Sequence, residues 1–301
     1  MPDVQLGAPP TGQPIDVLVP CKNNLHLTIQ CIDHLYSFTR SPFHLIVVDS
    51  STDETMLYLR RVQKEHPNVT VIHQDVCSGN HFFNLAIAHC QTPYLATVMN
   101  SVHVAPDWDT IALQLMANDP QIGVIGFKCV LPWGNIESAG IQMNGYTPID
   151  IGRDMPPYWL TQISEVPACQ WAFAMLRVEA VRGKLVDDLY NAHKGWDDID
   201  NCFVVKKAGY KIMYDGFGVG VHYPRSTRGD NGEQARVENL QNAQIFYKRW
   251  GFWKDFKEAN PNAIDLIEEK DGQIIKKDLT GFVAQIRTDN MQTDVKALRT
   301  P

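Results

Sequence analysis

The sequence predicts an α/β protein: a mostly parallel sheet flanked by helices, with a small C-terminal appendage. Three observations carry this. Short β-branched runs alternate with helix-length segments from residue 15 to residue 118, the order that builds a parallel sheet covered on both faces. The first run is short and β-branched and the second is a buried-type strand, as a sheet covered on both faces requires. The 301 residues, 44% of them hydrophobic, supply enough apolar chain for one large core.

Each element has its own signal. Residues 1–14 are rich in Pro and Gly and read as a flexible lead-in. IDVLVP, 15–20, is the first strand, stopped by Pro20. Leu25, Ile29, Ile32 and Leu35 follow at helical spacing. HLIVVDSS, 44–51, is the second strand and ends at Asp49; a helix follows, with Thr52 or Asp53 near its cap. VTVIHQD, 69–75, is the third strand; SGNHFFNLAIAHC, 78–90, is a loop and then a helix. PYLATVM, 93–99, is the fourth strand, and a further helix starts behind Pro106.

The second half is less regular. IGVIGFKCVL, GNIESAGIQMNG and VPACQWAFAMLR mix short strands with loops, and EAVRGKLVDDLY reads as helical. GWDDIDNCFVVKKAG, 195–209, is a helix opened by acids and ended at Gly209. YKIMYDGFGVGVHYP is strand-like, and QARVENLQNAQIFYKRWG is an amphipathic helix stopped at Gly251. Asp271-Gly272 between alternating runs signals a hairpin. The expected organisation is the lead-in 1–14, one large domain 15–257 and the appendage 258–301.

Composition narrows the function classes. A net charge of −7 argues against a broad nucleic-acid surface, which needs Lys and Arg to replace counterions. Seven cysteines, at 21, 31, 77, 90, 129, 169 and 202, form no CxxC pair. Their odd number and apolar settings read as free thiols in a reducing compartment. The N-terminus lacks the basic and apolar regions of a signal peptide, and no apolar run approaches the roughly 18 residues of a membrane span. A soluble cytoplasmic protein is expected. There is no GxGxxG after the first strand and no P-loop.

Parallel sheets bind ligands at the carboxyl ends of their strands. Here those ends are Pro20-Cys21-Lys22-Asn23, Asp49-Ser50-Ser51, Asp75 to Asn80, and Met99-Asn100-Ser101. Asp49 reads either as an acceptor for a base or ribose or as a helix-capping carboxylate. Trp196-Asp197-Asp198-Ile199-Asp200 reads either as favourable charge at a helix N-terminus or as a sugar-hydroxyl site, with a ring to stack and a carboxylate to take a proton. His222, followed by Arg225 and Arg228, reads as a diphosphate clamp or as a solvated charged loop.

In this order the pieces resemble family 2 glycosyltransferases of the GT-A fold. The resemblance covers roughly residues 15–255. It rests on IDVLVPCKNN, LIVVDSSTDET, SGNHFFNLAIAHCQTPYLATV, APDW, GWDDIDNCFVVKKAGYKIMYDG and VHYPRS. It implies inverting transfer of a sugar from a nucleotide-sugar donor, by family frequency a UDP-sugar, to an acceptor hydroxyl. Residues 15–118 would form the nucleotide-binding half and 119–257 the acceptor-binding half. Pro20, Lys22, Asn23, Asp49 and Ser50 match the nucleoside-binding strand ends. Gly79, Asn80 and Asn84 match the loop and helix that close over the nucleotide. Asp197 and Asp198 match the acidic pair, with Asp198 as general base. His222 matches a metal-ligating histidine. Trp133, Trp171 and Trp196 are candidate acceptor-stacking rings.

One departure stands out. Counting back from Pro106-Asp107-Trp108, the family's DxD motif falls on Met99-Asn100-Ser101. Both metal-facing aspartates are gone, and Mg²⁺ or Mn²⁺ favours anionic oxygen ligands. A cation, if held, would depend on His222 and Ser101, with Asn100 beside them; without one, Lys22, Arg225 or Arg228 would face the diphosphate. Weak or absent metal dependence is expected. The acceptor is read as a glycan or another hydroxyl-bearing molecule. Two other readings stand beside this one: a non-catalytic nucleotide-sugar or glycan-binding protein, and the same transfer onto a hydroxylated nucleobase in DNA.

Overall fold

The computed structural model describes residues 12–75, 79–186, 189–190, 195–224 and 232–279. In chain order the first half runs β1 (Ile15–Cys21), α1 (Leu25–Phe38), β2 (Phe43–Asp49), α2 (Thr55–Glu65), β3 (Val69–His73), α3 (Asn80–His89), β4 (Tyr94–Val98), β5 (Val102–Val104) and α4 (Thr110–Asn118). The second half adds β6 (Ile122–Val130), β7 (Ile136–Ser138), β8 (Ile141–Asn144), β9 (Thr147–Asp150), β10 (Ile163–Glu165), β11 (Phe173–Arg177), α5 (Val178–Val181), α6 (Asp197–Lys207) and β12 (Lys211–His222). It closes with α7 (Glu233–Arg249), α8 (Trp253–Ala259), β13 (Ile267–Lys270) and β14 (Gln273–Lys276).

The chain divides into two compact units. The larger holds the sheet, in the order β10-β12-β6-β11-β4-β1-β2-β3, with β5 paired to β12 and β7 to β6. β3, β2, β1 and β4 are parallel neighbours, and β6 runs parallel to β12. β11 is inserted antiparallel between β4 and β6. Every residue of β1, β4 and β6 is buried. That is why these strands are mostly apolar, with Asp16 and Lys128 as buried exceptions: both faces are covered, and each buried Val, Leu or Ile contributes about 1.5–3 kcal/mol.

The connection from β1 to β2 leads to one side of β1, and the chain then crosses back so that β4 pairs on the other. This reversal opens a crevice at the carboxyl ends of β1 and β4. β11, being antiparallel, delivers its first residues to the same place: Phe173 pairs Val98, and Met99 N donates to Ala172 O at 2.9 Å.

One expected helix is cut short. EAVRGKLVDDLY contributes only the single turn α5, because Gly183 adopts φ 68° and ends it. Residues 187 and 188 lie outside the described residues.

The smaller unit contains α7, α8 and the β13–β14 hairpin, with Val237, Leu266 and Leu279 as its apolar core. Asp271 and Gly272 both take positive φ in the hairpin turn, as the sequence signal requires. Gln241 Nε2 donates to Leu266 O and Lys277 O, which ties the hairpin to α7. Among the described residues no helix is long and apolar enough to cross a membrane.

Candidate active site

The crevice is assembled around Asn23. Asn23 and Asn24 follow β1 in left-handed conformation, at φ 58° and 62°, which Asn tolerates better than most residues. Asn23 N donates to Ser51 Oγ at 2.7 Å, and its side-chain oxygen accepts Thr52 N at 2.8 Å. Asn100 Nδ2 donates to Asn23 O at 3.1 Å and to Thr28 Oγ1 at 3.0 Å. The ends of β1, β2 and β4 are thereby one hydrogen-bonded assembly. Asn100 is 3% exposed, so its amide is spent on the protein. Pro20 and Ser50 are buried in the same floor, and Lys22 is exposed at its rim.

Asp49 is fully buried. One carboxylate oxygen accepts Ser51 N at 3.1 Å; the other lies 2.9 Å from His73 Nδ1. Its expected contact with a nucleoside is therefore not open in this conformation. His73, the last residue of β3 and Asp49's register partner, carries the accessible edge instead. Sequence reading missed it. The signal was available: His73 is the final residue of a strand whose neighbours' ends had all been noted.

Gly79 opens α3 at φ 54°, a conformation that favours glycine. Asn80 and Asn84, the next candidates, fasten α3 to the rest of the unit. Asn84 Nδ2 donates to Leu185 O, and Asn80 Nδ2 donates to Val186 O, each at 3.0 Å. Asn80 and Asn201 also exchange amide hydrogen bonds, at 2.7 and 3.0 Å, with both side chains buried. Asn201 sits on α6 one turn beyond Asp198, so this pair fixes the acidic start of α6 to α3. Asp197 and Asp198 are half-buried, and Ile199 N donates to Asp198 Oδ1 at 2.9 Å.

Trp196 belongs to the smaller unit, where it packs 5.4 Å from Phe246 and edge-on to Tyr247. Its φ of 80° is a rare conformation for a bulky residue. Trp133 is 68% exposed. Trp171 corrects the expectation of an acceptor-facing ring: it is 1% exposed, edge-on to Phe83, with Nε1 donating to Cys202 Sγ. A ring so enclosed has no face to offer an acceptor; it is core. Arg225 and Arg228 lie outside the described residues.

The cysteines among the described residues, 21, 31, 90, 129, 169 and 202, are free thiols. Burial pushes Cys21 and Cys90 up to about 12, which makes them poor nucleophiles.

His222 reaches the crevice through β12, which pairs His222 with Val102 and brings Tyr223 N to Ser101 O at 2.9 Å. Its Nδ1 lies 2.6 Å from Glu137 Oε2 on β7, and both side chains are largely buried. Glu137 was also missed in the sequence, although a lone acid inside an apolar strand already asks for a partner. A divalent cation finds a poor cage here. Asn100 is turned to Asn23 and Thr28, Ser101 brings no charge, and Glu137 faces the imidazole. Among the described residues no group of three or more His, Cys, Asp or Glu is placed to hold a metal.

Behind the crevice, Asp215 is fully buried on β12. One oxygen accepts Phe217 N and Gly218 N; the other has no hydrogen-bond partner. Burial raises this carboxyl to about 6. Lys128 Nζ donates to Pro157 O, Trp159 O and Thr161 Oγ1, pinning the loop that crosses β12.

The fold and crevice define an α/β protein with a ligand-type cleft at the strand reversal and an acidic helix fastened beside it. The chain belongs to glycosyl transferase family 2, whose model matches residues 16–182, just over half of its length. It is 25% identical over 273 residues to the uncharacterized protein y4gI of Sinorhizobium fredii (strain NBRC 101917 / NGR234). That match covers 84% of this chain and spans only 30% of the relative's length.

Solved structures share the fold. The mannosyltransferase PcManGT of Pyrobaculum calidifontis, in complex with GDP-Man and Mn²⁺, aligns with a TM-score of 0.57 at 23% identity, over 80% of this chain and 66% of its own. GalNAc-T7 with UDP, GalNAc and Mn²⁺ aligns at 0.64 and 13%, over 82% and 51%. TarS 1–349 of S. aureus, with UDP-GlcNAc, aligns at 0.53 and 14%, over 82% and 74%.

Proposed function

We propose that the protein transfers a sugar from a nucleotide-sugar donor, a UDP-sugar first among them, to a hydroxyl of a glycan or similar acceptor, with inversion. The observation that carries this is the Asn80–Asn201 exchange, which anchors the acidic start of α6 beside the strand-end crevice. Family membership and the nucleotide-sugars named for the fold's relatives support the donor class.

In this reading Asp198 takes the proton of the acceptor hydroxyl as its oxygen attacks the anomeric carbon. The bond to the diphosphate breaks, and its electron pair leaves with the nucleoside diphosphate. Asp197 orients the acceptor. Asn100 and Ser101 bring no charge to hold a cation, so positive charge for the departing diphosphate would come from Lys22, with Arg225 and Arg228 as the further candidates of the sequence.

A thermal-shift panel of sugar nucleotides, with and without Mn²⁺, identifies the donor, and product formation is then followed with a hydroxyl acceptor or water. Asp198→Asn is expected to lower turnover by about 10²–10⁴-fold while leaving donor affinity within about twofold. A second reading is favoured by the missing DxD carboxylates: a non-catalytic nucleotide-sugar-binding protein. Donor binding with no turnover by the wild type, unchanged in Asp198→Asn, would establish it.

A further inference from the structure

We infer that His73, oriented by Asp49, reads the nucleobase and selects bases that carry a ring N–H, namely uracil, thymine or guanine, over cytosine and adenine. This deepens the proposed function and rests on its donor class. The argument starts from hydrogen-bond bookkeeping. Asp49 is a carboxylate with no exposed surface, so it only accepts: Ser51 N on one oxygen and His73 on the other. The second contact therefore needs the proton of the imidazole on Nδ1. A neutral ring so fixed presents Nε2 as a lone pair.

The side chain of His73 is 37% exposed, whereas that of Asp49 is not exposed at all. His73 closes β3 at the carboxyl end of the sheet, level with Asp49 across the β2–β3 ladder. A lone pair at that place accepts from the ring N–H of uracil, thymine or guanine. Cytosine and adenine offer their own lone pair at the corresponding ring nitrogen and leave both acceptors unsatisfied, the arrangement that discriminates most strongly. His73 is thus a specificity residue and Asp49 a positioning residue acting through it.

The tautomer gives a test that a structural role would not reproduce. In Asp49→Asn the side-chain oxygen must still accept Ser51 N, so the amide NH₂ turns to His73. Nδ1 then becomes the acceptor and Nε2 carries the proton, which reverses the preference. Affinities of the full chain for UDP, GDP, ADP and CDP are measured by titration calorimetry at about pH 8, above the range in which an imidazole ordinarily titrates.

The wild type is expected to favour UDP or GDP over ADP and CDP by about tenfold or more, the worth of one good buried hydrogen bond and its unsatisfied alternative. His73→Ala should remove that preference and, because it leaves one oxygen of buried Asp49 without its partner, should also melt lower than the wild type. Asp49→Asn should shift the UDP-to-CDP ratio toward CDP. Equal affinity of the wild type for all four, or discrimination that survives His73→Ala, overturns the inference and leaves the donor reading standing. If Asp49→Asn does not fold, the His73→Ala result decides alone. Failure of the wild type to bind any of the four, or any sugar nucleotide, sinks the donor reading itself.

Discussion

Replacing Asn201 by Ala tests the device that holds the acidic helix in place. Asn201 Nδ2 donates to Asn80 Oδ1 at 2.7 Å, and Asn80 Nδ2 donates back at 3.0 Å, with neither residue more than 3% exposed. The substitution removes both bonds, about 1 kcal/mol each, and strands Asn80 Oδ1 without water at a further cost of about 1 kcal/mol. Asn80 Nδ2 keeps Val186 O, so its donor is not lost. The expected loss of stability is about 3 kcal/mol, read by urea unfolding. Asn80→Ala should cost at least as much, since it also releases Val186 O. The two losses share the same pair of bonds, and the stranded amide of each single variant is absent from the double, so the double variant should cost at least about 3 kcal/mol less than their sum. The coupling has a functional counterpart: either single variant should lower turnover more than donor affinity, because α6 moves while the strand ends do not. Additive losses within about 0.5 kcal/mol, or a drop confined to donor affinity, would refute the reasoning.

Other expectations follow from single residues. Asp215, raised to about 6 by burial, is protonated more readily in the folded chain than in the unfolded one, whose ordinary value is 3.8. Its contribution is therefore complete below about pH 4 and fades as pH rises through about 6; in Asp215→Asn that part of the melting-temperature slope between pH 4 and 7 should vanish. Gly216→Ala would set a Cβ 2.1 Å from Leu160 O; the carbonyl must move, which also breaks its bond from Tyr214 Oη, and calorimetry should show a loss of about 1–3 kcal/mol. Binding of UDP in EDTA should lie within about threefold of that in Mn²⁺, since charge count largely sets affinity for such a cation and Asn100 and Ser101 bring none; binding abolished by EDTA and restored by Mn²⁺ would overturn this expectation.

The first half of the fold was legible because its physics is local. β1, β2 and β4 are mostly apolar and buried, and the intervening helices carry their own periodicity. What failed was pairing at a distance. Nothing in FAMLR says that β11 enters the sheet between β4 and β6, so nothing placed Trp171 in the core while leaving Trp133 outside. The same holds for the site. Asp49 was readable as a strand-end carboxylate, but its engagement depends on a register that aligns it with His73. Glu137 meets His222 only because β6 carries β7 on one side and β12 on the other. The acids of α6 were legible from composition; the Asn80–Asn201 anchor, 121 residues apart in sequence, was not.

The antiparallel placement of β11 has a wider consequence. β6 and β11 are sheet neighbours, pairing Gly126 with Ala174, and the chain between them adds β7 beside β6 and β10 beside β12 before it returns next to where it left. Such an excursion is a closed loop in topological terms. The stretches of it outside β7 and β10 can change in length while those pairings stay, because the entropy of closing a loop grows only slowly with added residues. It contains Trp133 and ends at Ala172, whose carbonyl abuts the crevice. Added residues in those stretches would alter the surface beside Ala172 while the frame built by β1 to β4 keeps its pairings.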